Sequence, residues 1–448
     1  MLNKLVKIKR EKNFASLFAN ISVAALGLLS FMLLARQLDK NFFGEWILFL
    51  TLASFVDLLR FGMTNTSTVR LLSGASSERV KTLLGSSYKI NLVLIAIIAI
   101  VCYSTYGILH IFSVENTNGY GLFLIWYPIL GLFNMSWNNA CSLFQAQQNF
   151  KRMMYVKLSN IGIFTVFLAF NYFFFNLGSN YIIGMFLSTN LLSSIWCISK
   201  KWDGLRYLRH QDKETVSELV HFGKYSMGTL IGSSLLKSAD TFIIGLSPVM
   251  GASAIAMYAI PLKLTDMLGI PLRSLTMTAY PKMSKKVLQG DMDGARKTFY
   301  AYSGAITLIF IPIAIVCFMM AKFLIIFLGG KGYADQIDQL IVVFRIFTVY
   351  TVLLPVDRFC GVLLDSINKP KLNMIKVIVM TIANVVVNFI AVFAFNSLEL
   401  VAIGTVLFTL IGISMGFYYL KHEMQIKFRY ILPESIQFFK NIKSHFAN

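Results

Sequence analysis

The chain has 448 residues, of which 56% are hydrophobic and 14% are charged, and its formal net charge is +20. A soluble protein of this length needs far more charged residues to cover its surface, so the composition excludes one large soluble domain. The five cysteines all lie in apolar runs and form neither a CxxC pattern nor a Cys/His cluster, which argues against a disulfide framework, a metal site or a cofactor held by such ligands.

Apolar stretches long enough to cross a membrane, for which about 20 residues are needed, recur twelve times along the chain. Because the backbone in lipid must satisfy its own hydrogen bonds, we expect each stretch to form a helix. The stretches are continuous, whereas the strands of a membrane barrel alternate in polarity. The predicted spans are 14–36, 43–63, 86–110, 121–145, 155–176, 179–199, 222–246, 252–272, 298–328, 339–364, 373–395 and 399–420.

The basic residues alternate with these spans. If the N-terminus is cytoplasmic, the cytoplasmic segments hold 32 of the 41 Lys and Arg residues, and every one of those segments is basic. This distribution follows the positive-inside rule and predicts a multi-pass protein with both termini in the cytoplasm. The net charge therefore reflects membrane topology, and we expect no nucleic-acid partner.

Six spans return the chain to its starting side, so the second six begin in the same orientation as the first. This pattern predicts an all-α integral membrane fold with two six-helix bundles related by pseudo-two-fold symmetry. Near the C-terminus, Ile436, Phe439, Ile442 and Phe446 recur at helical spacing, which predicts an amphipathic helix on the inner membrane face, with a frayed tail as the alternative. The predicted regions are 1–200 (N-terminal bundle), 201–221 (cytoplasmic linker), 222–420 (C-terminal bundle) and 421–448 (cytoplasmic amphipathic tail).

Ten charged residues in the predicted spans are not explained by the basic loops or by the outer ends of helices. A charge inside a span costs about 2.5–3.5 kcal/mol on insertion scales and usually faces a cavity or a partner. Six of the ten form pairs with i, i+3 spacing, which places both groups on one helix face. Any one pair could simply neutralise itself, but three pairs in spans 2, 7 and 8 favour a shared polar cavity. The pairs are Asp57/Arg60, Lys237/Asp240 and Lys263/Asp266, and the other four charges are Glu45, Arg345, Asp357 and Arg358.

The basic members of this set suit an anionic group that must cross the membrane, because ammonium and guanidinium groups bind phosphate. The sequence contains no P-loop, GxSxG or HExxH motif, so we expect no catalytic residue. We expect substrate binding at Arg60, Lys237, Lys263, Arg345 and Arg358. We expect charge pairing or ion coupling at Asp57, Asp240, Asp266 and Asp357.

Two stretches resemble a known family. Residues 238–245 (SADTFIIG) with 256–261 (AMYAIP), and residues 35–38 (ARQL) with 43–46 (FGEW), are similar to polysaccharide-transport flippases of the multidrug/oligosaccharidyl-lipid/polysaccharide exporter (MOP) superfamily. The resemblance covers nearly the whole chain. It implies a fold like that of the multidrug exporters known as MATE transporters. In the flippase family that the resemblance indicates, the two halves give alternating access to a central cationic cavity.

The resemblance also implies a flippase for undecaprenyl-diphosphate-linked oligosaccharide, such as an O-antigen or capsule repeat unit, in the bacterial cytoplasmic (inner) membrane. Its implied partners are that lipid-linked glycan, membrane lipids and glycan-assembly proteins such as a polymerase.

Two alternatives to this function stay open. A multidrug/cation antiporter would need an acidic cavity, whereas the charges in the spans show a slight cationic excess that Glu45 would cancel if it faced the cavity. A membrane polysaccharide polymerase is disfavoured by the short outer loops.

Overall fold

The computed structural model describes residues 21–72, 75–113 and 117–440 of the chain. Every regular element within these ranges is helical, as the sequence predicts. Residues 14–20 of the first predicted span lie outside the described residues, and so do Ile442 and Phe446 of the predicted tail.

Residue contacts divide the chain into two compact units, which we call unit 1 (Met1–Ile231) and unit 2 (Gly232–Asn448). The division falls inside a helix, α8, that belongs in part to each unit. The helices up to this division are α1 (Ile21–Gln37), α2 (Lys40–Leu72), α3 (Ser77–Ile111), α4 (Tyr120–Phe133), α5 (Met135–Ala146), α6 (Phe150–Phe170), α7 (Ser179–Ser199) and the first part of α8 (Lys213–Leu246). After the rest of α8 come α9 (Gly251–Leu288), α10 (Met292–Met319), α11 (Ala321–Gly329), α12 (Ile337–Ser366), α13 (Pro370–Phe389), α14 (Leu398–Met424) and α15 (Ile431–Lys440).

All twelve predicted spans coincide with helices in the described ranges. Among the described residues, nine helices are long and apolar enough to cross a membrane. Of the other three spans, the first is described from Ile21, the fourth is shared between α4 and α5, and the seventh lies in α8. The fold is therefore that of an all-α, multi-pass membrane protein.

Spans 5 and 11 end in the same way. After α6 and α13 the chain makes a single π-helical turn, Asn171–Phe175 in unit 1 and Ile390–Ala394 in unit 2. An asparagine with φ of 50° follows each turn, Asn176 and Asn396, because asparagine tolerates the left-handed region better than most residues. The two units thus share a local structural feature at equivalent places in the predicted repeat.

The segment between α7 and α8 is a folded part of unit 1. Its 3₁₀ turn, Leu205–His210, packs against α3. At Gly85 of α3 an added Cβ would lie 2.0 Å from the carbonyl oxygen of Tyr207. Arg79 of α3 also bonds Thr215 at 2.7 Å and forms an ion pair with Glu218 at the start of α8. The predicted linker is therefore held against unit 1, and its last residues are helical.

We expect Gly85→Ala to push this segment away from α3, because the new methyl group collides with a backbone carbonyl rather than with a flexible side chain. Overpacking of this kind costs about 1–3 kcal/mol. In detergent, the variant should unfold at a lower temperature, and trypsin should cut at Arg206 and Arg209 faster than in the parent protein.

Gly107→Ala is the matched control, since Gly107 lies in the same helix and an added Cβ there meets no atom within 4 Å. Equal trypsin cleavage of the two variants would contradict tight packing of the segment on α3.

Candidate functional site

An ion pair between a buried arginine and a half-buried aspartate lies on α2 in unit 1. Arg60 Nη2 is 3.1 Å from Asp57 Oδ1, and the Arg60 side chain is 0% exposed. Arg60 Nη1 donates to the carbonyl oxygen of Gly131 at 2.7 Å, and Nη2 also bonds the side-chain oxygen of Asn134. The Asp57 carboxylate accepts hydrogen bonds from Tyr127 Oη at 2.8 Å and Asn134 Nδ2 at 2.7 Å.

The interruption between α4 and α5 supplies these partners. Asn134 is the residue between the two helices, and its amide group bonds both members of the pair. Gly131 lets the guanidinium approach, because a Cβ there would lie 2.7 Å from Arg60 Nη1. The structure thus places Asp57 and Arg60 together, as their spacing predicts. It also encloses Arg60, so the expected contact between Arg60 and a substrate is not available in this conformation.

Asp240 of α8 is buried among neutral donors in unit 2. Its Oδ2 accepts a hydrogen bond from Tyr258 Oη at 2.5 Å, and its Oδ1 accepts from Asn384 Nδ2 at 3.0 Å and Asn388 Nδ2 at 2.6 Å. Lys237, one turn earlier, is exposed and makes no ion pair with Asp240 within the described residues. The predicted Lys237–Asp240 pair is therefore wrong, because donors from α9 and α13 satisfy the carboxylate.

The residues around Asp240 provide several oxygen atoms. Asn388 Oδ1 is buried and has no hydrogen-bond partner among the described residues. Because the two ends of an amide are assigned from the hydrogen-bond network, rotation of Asn384 and Asn388 would turn their oxygens toward Asp240. A carboxylate, two amide oxygens and a phenol oxygen could then serve as oxygen ligands for a hard monovalent cation. The carboxylate by itself can also take up a proton.

A second group of charges in unit 2 is largely exposed, and we call it the cationic cluster: Lys237, Lys263, Asp266, Arg273 and Arg358. Lys237 interacts electrostatically with Arg273, Arg358 and Asp266, and Lys263 interacts with Asp266 and Arg273. Asp266 Oδ1 is 3.7 Å from Arg273 Nη2. The cluster holds four cations and one carboxylate, so it is net positive.

Lys263 interacts electrostatically with Asp266, and a further contact joins Asp266 to Arg273. The two residues are seven positions apart and therefore lie on the same face of α9. Arg273 lies just beyond predicted span 8 and is not among the candidate charges, and its helical spacing from Asp266 is the signal that could have identified it.

Arg345 does not join the cationic cluster. Its Nε donates to the carbonyl oxygen of Phe318 at 3.4 Å, and its guanidinium lies 4.6 Å from the centre of the Phe318 ring. Arg345 and Arg358 lie on the same helix, α12, thirteen residues apart, which corresponds to about 20 Å along the axis. The expected substrate contacts at Arg345 and Arg358 therefore belong to separate places in unit 2.

Asp357 pairs with Lys376, which lies at the start of predicted span 11 and is not among the ten candidate charges. Lys376 Nζ lies 2.7 Å from Asp357 Oδ1 and 3.1 Å from its carbonyl oxygen, and the side chains are only 3% and 9% exposed. Gly412 of α14 covers the pair, since a Cβ there would lie 2.6 Å from Asp357 Oδ1.

One spacing rule connects the residues of α13 that sequence reasoning missed. Lys376, Met380, Asn384 and Asn388 recur every four positions and form the buried face of this helix. Three polar residues at this spacing in an otherwise apolar span were a readable signal of a polar face directed into the protein.

We expect Lys376→Met to lower the thermal stability of the protein strongly, because it leaves the Asp357 carboxylate buried without its partner. Breaking a buried pair in this way costs about 3–5 kcal/mol. The double variant Asp357→Asn/Lys376→Met should recover most of the loss, and thermal unfolding in detergent measures both.

Lys81→Met is the control, since it breaks the exposed Lys81–Glu78 pair (2.6 Å), and exposed pairs contribute about 0–1 kcal/mol. A Lys376→Met protein as stable as Lys81→Met would show that the buried pair has little effect on stability.

Comparison with known proteins yields a family and a fold. The sequence model of a family described as polysaccharide biosynthesis protein matches residues 33–338. No curated protein sequence matches the chain significantly. The structure of the lipid II flippase MurJ, in an inward closed conformation, aligns with a TM-score of 0.73 and 15% identity over 94% of this chain and 90% of its own.

Two further solved structures share the fold. An inward-facing multidrug resistance MATE transporter of the MOP superfamily has a TM-score of 0.71 and 14% identity over 89% of this chain and 95% of its own. A MOP superfamily transporter from Pyrococcus furiosus has a TM-score of 0.62 and 13% identity over 92% and 94%. The family match covers more than half of the chain, and it agrees with the resemblance found in the sequence. The chain therefore belongs to the polysaccharide biosynthesis protein family, and it shares its fold with the lipid II flippase MurJ and with MATE transporters of the MOP superfamily.

Proposed function

We propose that this protein translocates an undecaprenyl-diphosphate-linked oligosaccharide, an O-antigen or capsule repeat unit, across the bacterial cytoplasmic membrane by alternating access. Both termini lie in the cytoplasm, as the distribution of basic residues predicts. The protein carries out no covalent chemistry, and its partners are the lipid-linked glycan, membrane lipids and glycan-assembly proteins such as a polymerase.

The cationic cluster of unit 2 is the observation that carries this proposal. Lys237 and Lys263 lie within predicted spans, where a charge is costly unless it faces water, a partner or a substrate. Four cations against one acid suit a dianionic group, and ammonium and guanidinium groups are the usual partners of phosphate. Lys237, Lys263 and Arg358 contact the diphosphate, with Arg273 added to the set predicted from the sequence, and Asp266 orients Arg273.

The buried carboxylates have other roles in this proposal. Asp240 couples transport to a proton or a monovalent cation, because its surroundings offer oxygen atoms and, among the described residues, no positively charged group within hydrogen-bond distance. Asp57 and Asp357 hold Arg60 and Lys376 inside their units by direct ion pairs. Arg60 and Arg345 contact the substrate, as predicted, only in a conformation in which they have left the partners that they bond in this structure.

A multidrug/cation antiporter is the second candidate, and the fold shared with a MATE transporter favours it. Such a protein would need an acidic surface for its cationic substrate. Asp240 and Asp57 are acidic and lie in predicted spans, but both are enclosed by donors. The exposed membrane-span charges of unit 2 are mainly basic, which favours the anionic substrate.

We expect Lys263→Ala and Lys237→Ala to abolish or strongly reduce export of the surface glycan, because each removes a cation that neutralises the diphosphate. The measurement is surface glycan in a host that lacks the gene and carries each variant, together with accumulation of the lipid-linked precursor. Membrane levels of each variant, checked by immunoblot, separate loss of transport from loss of protein.

Lys331→Ala is the matched control, since Lys331 is an exposed lysine of unit 2 beyond the cationic cluster. Normal export by a well-expressed Lys263→Ala/Lys237→Ala double variant would refute the role of the cluster. Increased resistance to cationic drugs, with unchanged glycan export, would favour the antiporter instead.

We expect Asp240→Asn to stop transport driven by an ion gradient while leaving binding of the lipid-linked substrate intact. The amide keeps the size of the side chain but cannot take up a proton and binds a cation more weakly than a carboxylate does. Purified protein in liposomes, with and without proton and sodium gradients, gives the measurement. Gradient-driven transport by Asp240→Asn at the rate of the control variant Asp338→Asn would contradict this coupling role.

A further inference from the structure

Unit 1 contains a line of buried polar side chains between α2, α3 and α5, which we call the polar seam: Thr64, Tyr88, Asn91, Ser136 and Asn139. Asn91 Nδ2 bonds Thr64 Oγ1 at 3.2 Å and Asn139 Oδ1 at 3.3 Å. The Tyr88 and Ser136 hydroxyls lie 2.9 Å apart. Apolar clusters around Leu83 and around Phe144 flank this part of the unit.

The amides at the centre of the seam are incompletely paired. Asn91 Oδ1, an acceptor, and Asn139 Nδ2, a donor, have no hydrogen-bond partner among the described residues, although the two residues are 0% and 4% exposed. Since buried polar groups in proteins are nearly always bonded to protein or to ordered water, these two atoms point to a missing partner. A water molecule can accept from the amide nitrogen and donate to the amide oxygen at once.

The seam reaches the segment between α7 and α8 at one end. Asp203 in that segment lies beside Ser136 and is 2% exposed, and its Oδ2 has no hydrogen-bond partner among the described residues. Burial raises the pKa of the Asp203 carboxyl, which is the expected result for an acid without a cation beside it.

At the other end the seam continues to the Asp57–Arg60 pair. Thr64 lies one turn after Arg60 on α2, and its hydroxyl is 3.5 Å from the Arg60 carbonyl oxygen. Asn138 of α5 donates to the carbonyl oxygen of Asn134, the residue that bonds both members of the pair. Two acids therefore stand at the two ends of one polar region: Asp203, which is buried, and Asp57, whose side chain is 24% exposed.

We propose that ordered water occupies the polar seam and links Asp203 to the Asp57–Arg60 pair, so that unit 1 holds an internal hydrated path. The path gives Asp57 a route to the side of the membrane on which the α7–α8 segment lies. It does not depend on the substrate proposed above, and its test requires no transport.

Radiolytic footprinting of the full-length protein in detergent, read by mass spectrometry, tests this proposal. Bound water yields hydroxyl radicals where it sits, so a buried side chain next to it is labelled. Tyr88 and Phe144 are both aromatic and almost fully buried, at 4% and 1% exposed, but only Tyr88 faces the seam. After normalisation to the unfolded protein, we expect Tyr88 to be labelled several-fold faster than Phe144.

A radical scavenger in the buffer separates bound water from bulk water. It should suppress labelling of the exposed Tyr430 and leave that of Tyr88 nearly unchanged. The variant Asn91→Leu/Asn139→Leu makes the centre of the seam apolar and should lower Tyr88 labelling to the rate of Phe144. Equal labelling of Tyr88 and Phe144 in the parent protein, or suppression of Tyr88 labelling by the scavenger, would overturn the proposal even if the double variant does not fold.

Discussion

The cost of a charge in hydrocarbon governs how this protein is built. A carboxylate or an ammonium group inside a membrane must find a partner in the protein or face water. In the described part of each unit the chain meets this requirement locally: Arg60 is neutralised by Asp57, and Lys376 by Asp357. Asp240 is the different case, since three neutral donors surround it.

Close approach of backbones makes these buried networks possible. Gly131 admits the guanidinium of Arg60, and Gly412 brings α14 against the Asp357–Lys376 pair. The break at Asn134 then exposes an amide that can bond a cation and an anion together. Small residues and a helix interruption thus let backbone and side-chain dipoles come within hydrogen-bond distance of the buried charges. At the surface of a soluble protein, water would supply those hydrogen bonds.

The structure distinguishes buried charges that have a partner from exposed charges, although both kinds look the same in the sequence. In the buried pairs each charge is neutralised by its partner, so removing one partner would leave the other buried and uncompensated. The cations at Lys237, Arg273 and Arg358 remain exposed, where a ligand can reach them. This division, more than the total charge, favours an anionic substrate for a chain whose family is associated with polysaccharide biosynthesis.

Short motifs indicated the family, whereas length and charge distribution along the chain were enough to predict the all-α membrane fold and the twelve spans. They sufficed because a span is a local property: about 20 apolar residues in a row decide it, whatever the rest of the chain does. The Asp57–Arg60 pair was also readable, since two residues one turn apart share a helix face wherever that helix packs.

The partners that these charges find on other helices could not be predicted, because spacing along one helix does not show which residues pack against it. Tertiary structure decided that Asp240 bonds Tyr258 and two asparagines rather than Lys237, that Asp266 meets Arg273, and that Lys376 lies buried beside Asp357. The sequence by itself determined where the chain crosses the membrane. Only the packing of helices determined which of its membrane-embedded charges are enclosed and which stay open to a ligand, since enclosure depends on contacts between distant residues.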